Sequence, residues 1–199
     1  MAHELDVDIW NAIDAAKTKP FGFMAFYPGP GLGGHCIPID PFYLSWKANQ
    51  QGIDTRFIDL ADTVNREMPD HVVQRIVEQL NDRKMALSTA DILIIGAAYK
   101  PNVSDTRESP AVDIVRQLEE WKANVEYHDP FVPTLDVDGQ TYESASLTNE
   151  RLQGADCTVI VTDHSTLDLK RIVHNSSIVF DTRNATAGLH VDGGDVVRL

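Results

Sequence analysis

The sequence predicts an α/β chain: a helical segment over residues 1–85, then a Rossmann-like parallel, doubly wound sheet over residues 86–199. Three observations predict it. Residues 2–19 and 42–85 carry apolar side chains at helical spacing. Residues 20–41 are crowded with glycine and proline, which forbids a long regular element and implies a shaped loop. From about residue 88 short apolar runs alternate with helical patterns, and right-handed crossovers turn that alternation into a parallel sheet.

Leu5, Ile9 and Ile13 mark a helix within 2–19. Tyr43, Trp46 and Lys47 resume helical texture after the loop, and Val72, Val73, Ile76, Val77 and Leu80 form an apolar stripe whose first turn suits Pro69. The run Asp91–Ile95, ending at Gly96, reads as a buried strand. A helix follows over 110–122, with Ser109 as N-cap and Pro110 in the first turn. Further strands are expected at 124–128, 157–162 and 177–181, helices near 148–154 and 167–173, and a turn or hairpin at 132–143 around Asp138-Gly139. Cys157, Tyr127 and the three tryptophans read as packing residues.

Composition narrows the function. At 43% hydrophobic, 199 residues can bury a sizeable core. A net charge of −13 opposes a nucleic-acid surface, which needs clustered Lys and Arg. No apolar run reaches the roughly 20 residues that span a bilayer, and no signal peptide opens the sequence. Two distant cysteines, Cys36 and Cys157, suggest no disulfide framework and fit a reducing, cytoplasmic setting. Neither Cys-x-x-Cys nor a helical His pair occurs, so no metal site is expected.

Three segments could carry chemistry. In Pro28–Asp40, Gly29, Gly31, Gly33 and Gly34 let backbone approach a ligand, Cys36 precedes a helix, and Asp40 lies one turn on. Cys36 is then either a nucleophile with a carboxylate neighbour or an inert thiol in a tight loop. His35 beside it could orient a ligand, but a histidine beside a loop is more often a surface or hydrogen-bonded residue. In Gly96–Pro110, Lys100 and Arg107 follow a strand's carboxyl end, where open α/β sheets bind ligands; either cation could hold an anion or pair with Asp105 and Glu108. Arg183, after the last expected strand, could reach the same crevice or lie on the surface. The dinucleotide fingerprint Gly-x-Gly-x-x-Gly does not follow the strand that ends at Gly96, so this sheet is Rossmann-like in architecture only.

The motif Gly31-x-Gly-Gly-His-Cys-x-Pro-x-Asp-Pro-x-Tyr43 resembles the catalytic-cysteine segment of the UDP-glucose/GDP-mannose dehydrogenase family. Tyr99-Lys100 with Asp105–Pro110 resembles the opening of that family's UDP-binding domain, and His128-Asp-Pro130 and Asp181-Thr-Arg183 also match. His-Cys-Ile-Pro-Ile-Asp-Pro resembles the branch acting on UDP-N-acetylhexosamines. The resemblance implies an NAD-dependent oxidation of the sugar C6 alcohol to a uronate through a Cys36 thiohemiacetal and thioester, with Asp40 assisting. It assigns Tyr27, Gly29, Gly31, Gly33, Gly34, Tyr99, Lys100 and Arg183 to the UDP-sugar, and Arg107 to NAD. It further implies a homodimer, and a sequence that begins near the end of the central segment, with the NAD-binding domain upstream. By this reading the chain alone binds UDP-sugar without turnover. A non-catalytic nucleotide-binding or dimerisation module and a cysteine hydrolase are the competing expectations.

Overall fold

The computed structural model describes residues 2–190 and 193–199. The first region is more broken than its sequence texture suggests. Instead of one helix over 2–19 there is a short 3-10 turn at His3–Leu5, then α1 (Ile9–Ala16). Asp8 sets the start of α1 by accepting hydrogen bonds from the amides of Trp10 and Asn11. The texture over 42–85 resolves into α2 (Asp40–Asn49), α3 (Arg56–Arg66) and α4 (Met68–Asp82). Gly52, with φ +73°, turns the chain between α2 and α3. Pro69 lies in the first turn of α4, as expected.

Beyond residue 88 the expected alternation is present: β1 (Asp91–Ile95), α5 (Pro110–Glu120), β2 (Asn124–His128), α6 (Asn149–Gly154), β5 (Cys157–Ile160), α7 (Leu169–Asn175) and β6 (Ile178–Asp181). Between β2 and α6 sits an antiparallel hairpin of β3 (Thr134–Val137) and β4 (Gln140–Glu143). Its turn residues Asp138 and Gly139 both have positive φ, as a two-residue hairpin turn requires. A strand not expected from the sequence, β7 (Asp195–Arg198), adds to the edge. The sheet order is β2-β1-β5-β6-β7, all parallel.

Helices cover both faces. On one face Val72, Val73, Ile76 and Leu80 of α4 and Ile114 and Leu118 of α5 pack with Ile92, Ile94, Val159 and Phe180. On the other, Leu152 of α6 and Ile172 of α7 pack with Leu93, Ile95 and Val179. Strands covered twice must be apolar on both sides, which is why β1 reads as a continuous run. The fold class is therefore as expected. Helix α4, which the sequence texture joined to residues 1–85, supplies much of one wall of this sheet.

Two packing expectations need correction. Trp10 is buried, but Trp46 and Trp121 are 62% and 61% exposed. Trp46 lies on α2, whose only buried residue is Ser45, and Trp121 caps the end of α5. Tyr127 and Cys157 are buried as expected. Strand β5 stops at Ile160, two residues early. Ile94 is fully buried in the interior strand β1, so Ile94→Ala should cost roughly 2–5 kcal/mol in urea unfolding, with cavity loss added to transfer loss.

Candidate functional site

The strand order places a switch point between β1 and β5: the chain runs from β1 outward to β2, then returns to the other side of β1. The loops at the carboxyl ends of β1, β5 and β6 converge there. Gly96 has φ +86°, and a Cβ on it would meet the carbonyl oxygen of Thr162 at 2.4 Å, so glycine permits the two loops to touch.

The cysteine loop lies across this edge. The amide of Gly34 donates to the carbonyl of Arg107 at 2.9 Å. A Cβ on Gly33 would meet the carbonyl oxygen of Glu108 at 2.4 Å and Cβ of Tyr99 at 2.7 Å; one on Gly34 would strike the Tyr99 ring at 2.8 Å. Gly31 faces Pro110, and Gly29 sits against the guanidinium of Arg183, where a Cβ would lie 2.8 Å from a terminal nitrogen. Glu108 meets the loop with left-handed backbone, φ +50°, uncommon for a residue with a side chain. On the opposite flank Asn65 of α3 holds Leu32 by both backbone groups: its Oδ1 accepts from the Leu32 amide at 2.7 Å and its Nδ2 donates to the Leu32 carbonyl at 3.4 Å.

Cys36 is exposed. It does not open a helix, since α2 begins at Asp40, but the Asp40 amide donates to the Cys36 carbonyl at 2.8 Å. One tight turn thus separates thiol and carboxylate. Arg107 holds Asp105 by its Nε and a terminal nitrogen, the latter at 2.6 Å. That fork, with the Arg107 amide, draws the half-buried Asp105 carboxyl down to about 2. Asp105 in turn raises the Arg107 pKa, with smaller contributions from Tyr99 and Cys36, which places the thiol within electrostatic reach of the guanidinium. His35 is exposed and adds to the field that holds Asp105 ionised.

Lys100 is exposed, its ammonium 5.3 Å from the centre of the Tyr99 ring. Arg183 is half-buried; its Nε donates to the Val161 carbonyl at 2.8 Å, and burial pushes its pKa down. Among the described residues no carboxylate pairs with Lys100 or Arg183 within 4 Å. Arg183, partly desolvated and answered only at longer range by the Asp163 charge, retains capacity for an anionic ligand. Tyr27 stands apart from this group. It stacks on Trp10 and donates to Asp14, both on α1, and accepts from Lys17, the residue that caps that helix. A separate open cleft, lined by Asp91, Asn124 and Ala155, lies at the amino ends of the strands, away from these loops.

Beneath the loops lies a polar pair that sequence reasoning passed over. Asp129 and His164 have fully buried side chains, 2.8 Å apart. Burial alone would raise the Asp129 pKa, but amides of Ala97, Phe131 and Ala98, with His164, outweigh it and hold the carboxyl low. The only sequence signal was the His128-Asp-Pro130 match, to which no role was attached.

Comparison with known proteins decides the family. Residues 93–188 match the model of the UDP-glucose/GDP-mannose dehydrogenase family, UDP binding domain, and residues 1–67 match that of the same family's central domain. The chain belongs to this family. It is 36% identical over 189 residues to a UDP-N-acetyl-D-mannosamine dehydrogenase of Methanococcus maripaludis, covering 91% of this chain and 41% of that protein. It is 36% identical over 135 residues to a UDP-N-acetyl-D-glucosamine 6-dehydrogenase of Pseudomonas aeruginosa, covering 68% of this chain and 32% of the other. The solved structure of a UDP-D-ManNAc dehydrogenase from Pyrococcus horikoshii superposes with a TM-score of 0.82 at 29% identity, over 99% of this chain and 45% of that one. The chain thus spans about two fifths of the length of the curated relatives it matches.

The glycine contacts give a direct test. Gly33→Ala should destabilise the chain by roughly 1–3 kcal/mol, because its methyl group must displace the Glu108 carbonyl. Gly154→Ala, at a helical position with open space around it, should be neutral or stabilising. Thermal unfolding of the two variants checks the contrast.

Proposed function

We propose that this chain is the substrate-capturing part of an NAD-dependent UDP-sugar 6-dehydrogenase that oxidises a UDP-N-acetylhexosamine to the uronate. The observation that carries the proposal is the glycine ridge that seats the Cys36 loop on Tyr99, Arg107 and Arg183. It brings a nucleophile to the edge of a crevice lined by unpaired cations, where a diphosphate can be held while the sugar extends toward the thiol. Lys100 and Arg183 supply charge, Tyr99 and the backbone of Gly29–Gly34 supply contact surface, and the ligand branch follows the similarity to N-acetylhexosamine enzymes.

In the reaction so read, the C6 alcohol loses a hydride and a proton to give an aldehyde. The Cys36 sulfur adds to the aldehyde carbon, and a proton settles on the former carbonyl oxygen, forming a thiohemiacetal. Loss of a second hydride and proton from that adduct leaves a thioester. Asp40 takes a proton from water, the water oxygen attacks the acyl carbon, and the carbon–sulfur bond breaks to release the uronate and the Cys36 thiolate. NAD, when bound, would supply the hydride acceptor, one molecule for each of the two oxidations.

The residues present fit NAD only at its edge. The connection from β1 to α5 has glycine only at its first position, Gly96, and so lacks the seat of a pyrophosphate. The Arg107 side chain, 65% exposed and held only by Asp105, suits a phosphate approaching from outside the sheet. We also propose a homodimer in the reducing cytoplasm. Phe21, Phe26, Trp46, Phe57 and Leu60 are each exposed in the first region, and that much exposed apolar surface calls for a cover.

Titration calorimetry tests this reading. The chain should bind UDP measurably and NAD far more weakly, and Arg183→Ala should abolish most of the UDP signal. No heat with UDP, or binding untouched by Arg183→Ala, would contradict it.

A further inference from the structure

The buried Asp129–His164 pair has the composition of a catalytic dyad but not the access of one. Both side chains are sealed from solvent. The His164 Nδ1 receives the amide of Asn102 at 3.0 Å, so it carries no proton. The proton therefore sits on Nε2, which donates to Asp129 Oδ2. Both ring nitrogens are committed to the protein, and none is free to act on a substrate.

The partners show what the pair holds. Asp129 Oδ2 also accepts from the amides of Ala97 and Ala98, at 2.7 and 3.0 Å, and Oδ1 accepts from those of Phe131 and Val132. Asn102 is fastened a second time, since its Oδ1 accepts from both the amide and the hydroxyl of Ser165. Thr162 donates to the Ala98 carbonyl. Loops from β1, β2 and β5 are thus tied at one point beneath the crevice. Tyr99 and Lys100 lie between the two ties: Ala98 is pinned to Asp129 just before them and Asn102 to His164 just after. The Tyr99 amide closes the loop by donating to the Asp105 carbonyl.

We infer that Asp129 and His164 are positioning residues that hold Tyr99 and Lys100 in the binding geometry before ligand arrives. The inference rests on the UDP-sugar reading above and deepens it. A loop held at both ends has little conformational freedom left to lose, so nucleotide affinity includes the order these two residues impose. The His164 ring does two separable things, and two amides separate them. In H164N the shorter amide reaches the place of Nδ1 and can accept from Asn102. In H164Q the longer one reaches the place of Nε2, keeps the bond to Asp129 and leaves the Asn102 amide without its acceptor.

Calorimetry with UDP on the whole chain, alongside thermal unfolding, tests the inference. H164Q should bind UDP about tenfold more weakly, the effect of one buried hydrogen bond lost, while H164N stays within about threefold of the parent. N102G provides a second route. Its backbone suits φ +63° and the residue is exposed, so the fold should persist while the tie to Ser165 is lost and UDP affinity falls. H164Q binding as the parent does, or H164N weakened as much as H164Q, overturns the inference. If H164Q fails to fold, D129N, which withdraws one carboxylate oxygen from the Ala97, Ala98 and His164 donors, takes its place, and unchanged UDP affinity refutes the inference. A parent chain that does not bind UDP refutes the underlying functional reading instead.

Discussion

The site depends on a backbone contact with no room for a side chain. Gly33 and Gly34 lie so close to Tyr99 and Glu108 that a single methyl group would enter the van der Waals shell of a carbonyl oxygen or an aromatic ring. This closeness lets the Gly34 amide reach the Arg107 carbonyl, and so ties the segment bearing Cys36 to the segment bearing Lys100. Neither segment is a regular element. Their relative position is set by steric exclusion and one hydrogen bond, anchored on the far flank by Asn65 gripping Leu32.

The sheet makes that contact possible by ordering its own edge. Carboxylates at the strand ends accept clusters of backbone amides. Asp129 does so just after β2, and Asp181, the last residue of β6, takes the amides of Arg183, Ala185 and Thr186 and the Thr186 hydroxyl. Each such cluster satisfies donors that a buried loop would otherwise leave unpaired. Cations are then left over at the surface of the edge while anions are consumed beneath it. In a chain of net charge −13, Lys100 and Arg183 are thereby left at this edge with no carboxylate within 4 Å among the described residues, though the Asp163 charge acts on Arg183 from farther off.

Much of this was legible in the residues, and the failures have physical causes. Strands β1, β5 and β6 announced themselves because double coverage demands unbroken apolar runs. Strand β7 did not. Asp195–Arg198 is short, sits at the edge, and exposes most of its side chains, so it carries neither a run nor an alternation. Trp46 and Trp121 misled because size and apolarity predict burial only where something packs over the residue. At the site, the glycines before Cys36, expected to let backbone approach a ligand, lie against the chain's own Tyr99, Glu108 and Arg183, a contact the spacing alone did not specify. The Asp129–His164 pair stayed hidden because its partners are 35 residues apart and its function is to bind amides, which no side-chain pattern reveals.

The central claim is that the Cys36 thiol borders the space a UDP-sugar fills. Alkylation of the native chain by iodoacetamide at neutral pH measures this with its own internal control. Cys157 is fully buried, with its pKa pushed up to about 12 by burial, and should stay unmodified until the chain unfolds. A UDP-N-acetylhexosamine should slow Cys36 alkylation in proportion to occupancy, and UDP at equal occupancy should slow it less, because the sugar covers the thiol. An alkylation rate unchanged at saturating UDP-sugar would show that thiol and nucleotide do not share a crevice.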